Sequence, residues 1–308
     1  MKIKTLVVGL GKIGIGYDLN KTNKESLSHC SSVINSEKFK LVGGVDKDKN
    51  KKIPFERCYG KLFFDDLKYA LLKTSPSFVI ISSSTNSHLE IVKKISNLNY
   101  KNRDKVKFIL IEKPMGMNFS QAKKIVSFCE KNKIKLLVNY FRNYNKNFIN
   151  IMQKNNNYTN GKIIYSGGMI NNGSHFLSLF LILFGKILKV EKSYIKKIND
   201  YDYRFTGEIY FERALLSFKH NIYTTKKHFF VLKNKNGHTE YDNKKKTITN
   251  KFSINKELKT KNKIHIKNSQ KIVLDQIYRF MTKQNCNICT GIFALKVYKY
   301  LDKIKNII

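Results

Sequence analysis

Three groups of residues in this chain have types and spacing suited to chemistry. Gly9, Gly11 and Gly14 follow an apolar run from Ile3 to Val8 in the pattern Gly-x-Gly-x-x-Gly, with Lys12 and Ile13 inside the turn. In such a turn the first glycine permits a tight bend, and the second lets backbone approach a pyrophosphate. The third lets the next helix pack closely on the strand. That helix would add unpaired N–H groups and the positive end of its dipole. The second group is Asp46, which ends the run Val-Gly-Gly-Val-Asp. A carboxylate there can accept hydrogen bonds from a ribose hydroxyl, which favours NAD; Lys47 beside it keeps NADP as the alternative. The third is Glu112-Lys113-Pro114, entered straight from the apolar run Phe108–Ile111. The chain has only three prolines (Pro54, Pro76 and Pro114), so one placed here reads as a constraint. A lysine held at the carboxyl end of a buried strand is partly desolvated, and can donate a proton or polarise an oxygen. Each group also has a plainer reading: a structural turn, a solvated strand end, and a lysine whose stem lies along apolar surface.

The elements that would position these residues alternate. Apolar runs at Ile3–Val8, Lys40–Val45, Phe78–Ser82, Phe108–Ile111 and Lys135–Val138 predict buried strands, with a shorter one at Lys61–Phe64. Between them lie helical patterns at Asp65–Lys73, Ser87–Leu98 and Ser120–Asn132. In the last, Ala122, Ile125, Val126 and Cys129 share one face and Ser120 lies near the N-cap. This alternation predicts an α/β fold with a doubly wound, mostly parallel sheet. The polar stretch Asp18 to Ser28 reads as an insertion before or within the first helix. It explains why Asp46 lies farther from Gly14 than the usual ~20 residues. After about residue 145 the character changes to short alternating runs at Lys162–Ser166, Val190–Ile198, Arg204–Phe211, Ala214–Lys219 and Phe229–Lys233. They predict a mostly antiparallel sheet, closed by helices near Ile272–Thr282 and Phe293–Ile304. Asp242–Lys267, rich in lysine and asparagine, reads as an edge hairpin or mobile loop. The expected division is 1–140 for the nucleotide domain and 141–308 for an α+β domain whose last helices can pack back on the first.

With 308 residues and 42% hydrophobic content, the chain can bury a substantial core. The longest apolar run, Phe176 to Gly185, is about half of what a bilayer crossing needs. With the first strand at Ile3, a cytoplasmic protein without membrane contact is expected. Five cysteines (Cys30, Cys58, Cys129, Cys286 and Cys289) show no disulfide rhythm. Cys286 and Cys289 lack the second ligand pair that a structural zinc requires, so no metal is expected. The net charge of +37 is carried almost wholly by scattered lysines, against six arginines: Arg57, Arg103, Arg142, Arg204, Arg213 and Arg279. Nucleic-acid recognition favours the arginine fork. The charge is therefore read as solvated lysine with no nucleic-acid partner, giving a field that attracts anionic ligands such as a dinucleotide or a sugar nucleotide.

A glycine fingerprint, then Glu-Lys-Pro after the fifth strand, then a glycine–histidine segment resembles the glucose–fructose oxidoreductase/inositol dehydrogenase (Gfo/Idh/MocA) family. Further likenesses are Ser84-Thr85-Asn86-Ser87-His88 to its cofactor-contacting turn and Asn139-Tyr140-Phe141-Arg142 to the segment leaving its nucleotide domain. Gly167-Gly168-Met169-Ile170-Asn171-Asn172-Gly173-Ser174-His175 resembles the helix start that brings a catalytic histidine to the nicotinamide. The resemblance implies an N-terminal Rossmann domain and cofactor contacts from the glycine turn (Gly9, Gly11, Lys12, Ile13, Gly14), Asp46, Ser83, Thr85, Asn86, His88, Glu112 and Lys113. It implies that Lys113 binds and polarises a substrate hydroxyl or carbonyl, and that His175 exchanges its proton while hydride passes between the same carbon and the nicotinamide. Histidine suits that role near neutral pH, although His175 beside Phe176 also reads as a packed helix residue. Tyr140, Arg142, Asn171 and Ser178 would contact substrate.

The family commonly carries aspartates at the positions of Asn171 and Ser178. Asparagine can hydrogen-bond a sugar hydroxyl but cannot take a proton or stabilise an imidazolium by charge. The expected activity is NAD-dependent oxidation or reduction at a hydroxyl or keto carbon of a sugar, polyol or nucleotide-linked sugar, with a step in surface-glycan synthesis as its setting. The alternative is a dinucleotide-binding protein of the same fold with little or no turnover. An open face of the second sheet predicts a homo-oligomer, dimer or tetramer. His29, His220, His228, His238 and His265 have no motif context.

Overall fold

The computed structural model describes residues 1–19, 26–101, 106–154, 157–221, 228–254, 257–265 and 270–307. The chain divides into two compact units: Met1–Tyr144 with Ser269–Lys296, and Asn145–Asn268 with Val297–Ile308.

The first unit is built on six strands: β1 (Ile3–Val8), β2 (Phe39–Val45), β3 (Phe63–Phe64), β4 (Phe78–Ile81), β5 (Phe108–Ile111) and β6 (Lys135–Val138). Their order is β3-β2-β1-β4-β5-β6, and every pair is parallel. The order reverses between β1 and β4, where a doubly wound sheet opens a ligand crevice beyond the carboxyl ends of its strands. Leu6, Val7, Phe78 to Ile81 and Ile109 to Ile111 are fully buried, as continuous apolar strands covered on both faces must be. The helices are α1 (His29–Ile34), α2 (Lys52–Tyr59), α3 (Leu67–Thr74), α4 (His88–Lys101), α5 (Phe119–Lys131) and α6 (Phe141–Tyr144). The cap of α5 is Asn118, two residues before Ser120; its Oδ1 accepts from Gln121 N–H at 2.9 Å. Of the expected insertion, residues 20–25 lie outside the described residues. Asp18 joins its two ends, accepting from Leu27 N–H (3.0 Å), Ser28 N–H (2.7 Å) and Ser28 Oγ (2.6 Å).

The second unit holds α7 (Lys146–Lys154), β7 (Asn160–Tyr165), α8 (Ser174–Phe184) and the strands β8 (Ile187–Lys197), β9 (Tyr203–Phe211), β10 (Leu215–His220), β11 (Phe229–Asn234), β12 (Gly237–Asp242), β13 (Thr247–Ile254) and β14 (Glu257–His265). One sheet of eight strands runs β14-β13-β12-β11-β7-β10-β9-β8, antiparallel except for the β7–β10 pair. The lysine- and asparagine-rich segment after Asp242 is thus a strand pair, β13 and β14, at one edge. Lysine-rich β8 forms the other edge. Charged edge strands resist pairing with further chains, which accounts for part of the lysine surplus. Helix α8 is apolar on nearly every side and almost wholly buried. Phe176, Phe180 and Phe184, spaced by four, stack along it, and Phe180 meets Phe230 and Phe218 of the sheet edge-on at 5.5 and 6.2 Å.

After the second unit's sheet come α9 (Gln270–Met281) and α10 (Gly291–Lys305). Helix α9 lies in the first unit, where Tyr278 packs on Phe39 and Phe280 on Phe108. Among the described residues no helix is long and apolar enough to cross a membrane.

Candidate active site

The glycine turn has the geometry that its spacing implies. Gly9 adopts φ +96°, and a Cβ there would overlap the backbone of Ser83; a Cβ on Gly14 would overlap the carbonyl of Gly9. Gly11 has nothing within 4 Å of where its Cβ would stand. Two glycines are therefore required by packing, whereas the third leaves a bare stretch of backbone facing open space. That is a cradle for a phosphate group. The chain then makes one wide turn, with Gly16 N–H reaching Gly11 O (3.1 Å) and Tyr17 N–H reaching Lys12 O (2.9 Å). Among the described residues the next regular helix is α1, past the Asp18 clasp.

A cleft of about 730 Å³ opens beside the turn, lined among others by Gly9, Gly11, Asp46, Ser83 and Asn86. Asp46 is half-buried at the end of β2. Its Oδ2 accepts from Leu10 N–H at 2.6 Å and its Oδ1 from Asp48 N–H at 3.0 Å. Both oxygens keep a further lone pair each for a hydroxyl donor. Ser82, which no motif marks, also lines the cleft, and its Oγ donates to Gly9 O at 2.7 Å. Lys47 and Lys94 lie on the same wall. Lys12 is exposed and Ile13 and Thr85 half-buried, none of them on the cleft wall.

His88 has a different place from the one expected. It is buried, with Nε2 against Ser83 O (3.0 Å) and Nδ1 against Met115 O (3.2 Å). It joins the turn after β4 to the chain after Lys113-Pro114. Burial is the main influence on its imidazole and holds its pKa below the ordinary value, despite those carbonyls.

At the end of β5, Lys113 is half-buried and precedes Pro114 through a cis peptide bond. Glu112 Oε1 accepts from His29 Nε2 at 2.8 Å and from Asn139 Nδ2, whose amide also donates to Gln270 Oε1 at 3.0 Å. Because the acceptor is a carboxylate, Nε2 of His29 carries the proton. Burial alone would raise the Glu112 pKa. The His29 bond and charge, the Asn139 bond and the Lys113 charge together outweigh it and hold it below the ordinary value. The first turn of α1 and the ends of β5, β6 and α9 thus meet at one carboxylate beside Lys113. The sequence offered little sign of this, since His29 and Glu112 are 83 positions apart.

In the second unit, His175 is the second residue of α8 and only 6% exposed. The preceding segment is shaped residue by residue. Gly167 takes φ +74°, and at Gly168 a Cβ would overlap the carboxylate of Asp202. Asn172 Nδ2 donates to Ser166 O (2.8 Å) and Ser174 Oγ to Ile170 O (2.6 Å). Asn171 is half-buried, its Nδ2 donating to Asp202 Oδ2 at 2.7 Å. Ser178, expected at the substrate, is fully buried and donates to His175 O at 3.0 Å. Tyr140 and Arg142, in the first unit, are also buried, with the Arg142 guanidinium 4.6 Å from the ring of Phe141. Cys286 and Cys289 are free thiols, and no group of three metal-ligating side chains occurs among the described residues.

A parallel sheet in this order, with a glycine cradle at its crossover and an acid at the end of β2, defines an NAD-binding Rossmann unit. Residues 3–140 match the model of the Gfo/Idh/MocA oxidoreductase family, described as an NAD-binding Rossmann fold. No curated protein matches it in sequence. Solved structures share the two-unit fold. The dehydrogenase MviM from Clostridium difficile superimposes with a TM-score of 0.77 at 17% identity, covering 99% of each chain. UDP-N-acetylglucosamine 3-dehydrogenase from Acidithiobacillus ferrooxidans gives 0.76 at 12% identity, covering 99% of this chain and 97% of that one. The WlbA dehydrogenase from Chromobacterium violaceum, solved with NADH and UDP-GlcNAcA, gives 0.75 at 15% identity, covering 98% and 92%.

Proposed function

We propose that the chain is an NAD-dependent dehydrogenase or reductase acting at a CH–OH or keto carbon of a nucleotide-linked sugar. A free sugar or polyol is the broader class. The observation that carries this reading is the pairing of the open cradle at Gly11 with Lys113 at the carboxyl edge of the same sheet. Gly9, Gly11 and Gly14 with Asp46, Ser83 and Asn86 hold the dinucleotide, which when bound supplies the hydride acceptor or donor. Lys113 binds and polarises the reacting oxygen through its ammonium group, and the Glu112–His29–Asn139 cluster fixes the backbone that presents it. His175 takes the hydroxyl proton in oxidation and returns it in reduction. The preference for an anionic, nucleotide-linked substrate is supported by the net charge of +37 and by the ligand of the WlbA structure. A homo-oligomer in a cytoplasmic setting, with a role in surface-glycan synthesis, belongs to the same proposal; a monomeric mass in solution would remove the first part.

The test is incubation of the purified chain with NAD and a panel of UDP-sugars, aldoses and polyols. Absorbance at the reduced-nicotinamide band rises with at least one UDP-sugar, and Lys113→Ala removes the rise. Saturable NADH binding without turnover on a broad panel would favour a binding protein of the same fold. That second reading has its own observation in Ser178, whose hydroxyl is buried against the His175 carbonyl where the family commonly carries an acid.

A further inference from the structure

From Asn160 to Lys186 the chain contains no acidic residue, so the segment that carries His175 has no negative charge of its own. The structure brings one in from elsewhere. Asp202 lies in the connection between β8 and β9 and is 1% exposed. Its Oδ1 accepts from Ile170 N–H (2.8 Å) and Tyr203 N–H (2.9 Å). Its Oδ2 accepts from Asn171 Nδ2 (2.7 Å) and, at longer range, Asn171 N–H (3.3 Å). A buried carboxylate with this many N–H donors is well compensated and fixed in direction. Asn199 holds the corner, its Oδ1 accepting from Asp202 N–H at 2.8 Å. Gly168 leaves the space that the carboxylate occupies.

We propose that Asp202 is a positioning residue for the His175 segment, supplying from the β8–β9 corner the charge that residues 160–186 lack. It acts through two neighbours of His175. Two bonds to backbone N–H groups fix the start of the turn that runs into α8. The bond from Asn171 Nδ2 to this carboxylate fixes which way round that carboxamide is held. His175 follows four residues after Asn171, so the same carboxylate fixes the backbone and the carboxamide of the turn that leads into it. The inference rests on the reading of His175 as a reaction residue.

The geometry supports a charge exchange as the test. In D202N, Oδ1 keeps its two donors, but an amide nitrogen then faces Asn171 Nδ2, donor against donor. In N171D, two carboxylates face each other. In the double variant N171D/D202N, the amide introduced at position 202 donates to the carboxylate introduced at position 171, and the pair is restored with its charge moved across the hydrogen bond. The readouts are the imidazole NMR signals of His175, assigned with His175→Gln, the NADH dissociation constant, and kcat with the best UDP-sugar of the panel. Each single variant shifts the His175 signals and lowers kcat about 10- to 100-fold, the scale of a slightly misplaced catalytic group, while NADH affinity stays as in wild type. The double variant returns the signals and brings kcat to within about threefold, as coupled neighbours do in a double-mutant cycle. Wild-type His175 signals in D202N, or a double variant no closer to wild type than the singles, would overturn the proposal. If the wild-type chain turns over no sugar, the functional reading fails, yet the His175 signals still decide for or against Asp202.

Discussion

The two units differ in how far along the chain their functional residues are assembled. In the first, the cradle is mostly local: Gly9, Gly11 and Gly14 span six positions and Gly14 packs on the Gly9 carbonyl, so only the contact of Gly9 with Ser83 reaches beyond the motif. In the second, the turn before His175 is held by a carboxylate 31 and 32 positions away. A local device announces itself in the sequence, and a distant one does not. The comparison also explains why NAD binding is legible here more directly than chemistry is. Lys113 stands between the two cases, reached by a local strand but supported by His29 from 83 positions upstream of Glu112.

The largest effect expected from breaking the local device is at Gly9. Gly9→Ala forces a side chain into the Ser83 backbone at a left-handed φ, costing about 3 kcal/mol or more. Thermal melting should drop steeply and NADH binding vanish with it. Gly11→Ala sharpens the contrast: melting stays as in wild type because the site is open, while NADH affinity falls. Equal losses of melting temperature in both variants would mean that the turn is only structural.

Next in size is the distant support of the first unit. His29→Ala leaves the buried Glu112 carboxylate without one of its hydrogen-bond donors, which costs about 1 to 3 kcal/mol, whereas His29→Ala with Glu112→Gln recovers part of the loss. Chemical denaturation of the two variants checks this. Asp46→Ala is smaller, lowering NAD affinity by about tenfold (~1.4 kcal/mol) and improving the tolerance of NADP; an unchanged preference would remove Asp46 from the ribose. Loss of the α5 cap in Asn118→Ala costs about 1 kcal/mol, read from the same denaturation curves.

The smallest effect concerns pH. Burial holds the imidazoles of His88 and His220 below their ordinary pKa; at His220 the nearby Arg204 charge adds to it. A depressed histidine contributes stability that is fully present above its unfolded pKa of about 6.5 and is lost as pH falls through the folded value. Melting temperature should therefore fall as pH drops from about 7 to about 5. His88→Gln should lessen that fall.

Much of the first unit could be read from the sequence, because buried parallel strands are continuous apolar runs and the helices between them are amphipathic. The second sheet was legible through β11, where inward positions alternate with outward ones, as in Tyr203 to Phe211. No run marked β12, and β13 and β14 were legible only as an edge hairpin or mobile loop, because these strands carry lysine and asparagine in place of an apolar face. Among site residues, Gly9, Gly11, Asp46, Ser83 and Asn86 share one cleft wall, and motif and resemblance had singled out each of them. His88 and Ser178 turn their polar atoms to backbone carbonyls of the protein itself. Asp202 and the His29–Glu112 pair were out of reach because only the folded chain makes them neighbours.

Paired measurements on His175→Ala test the central claim most directly, namely that the cofactor is held by the first unit while the chemistry needs the second. NADH affinity is expected within about threefold of wild type, with turnover of the best UDP-sugar lowered about 10²- to 10⁴-fold. Turnover that survives the substitution would contradict the account.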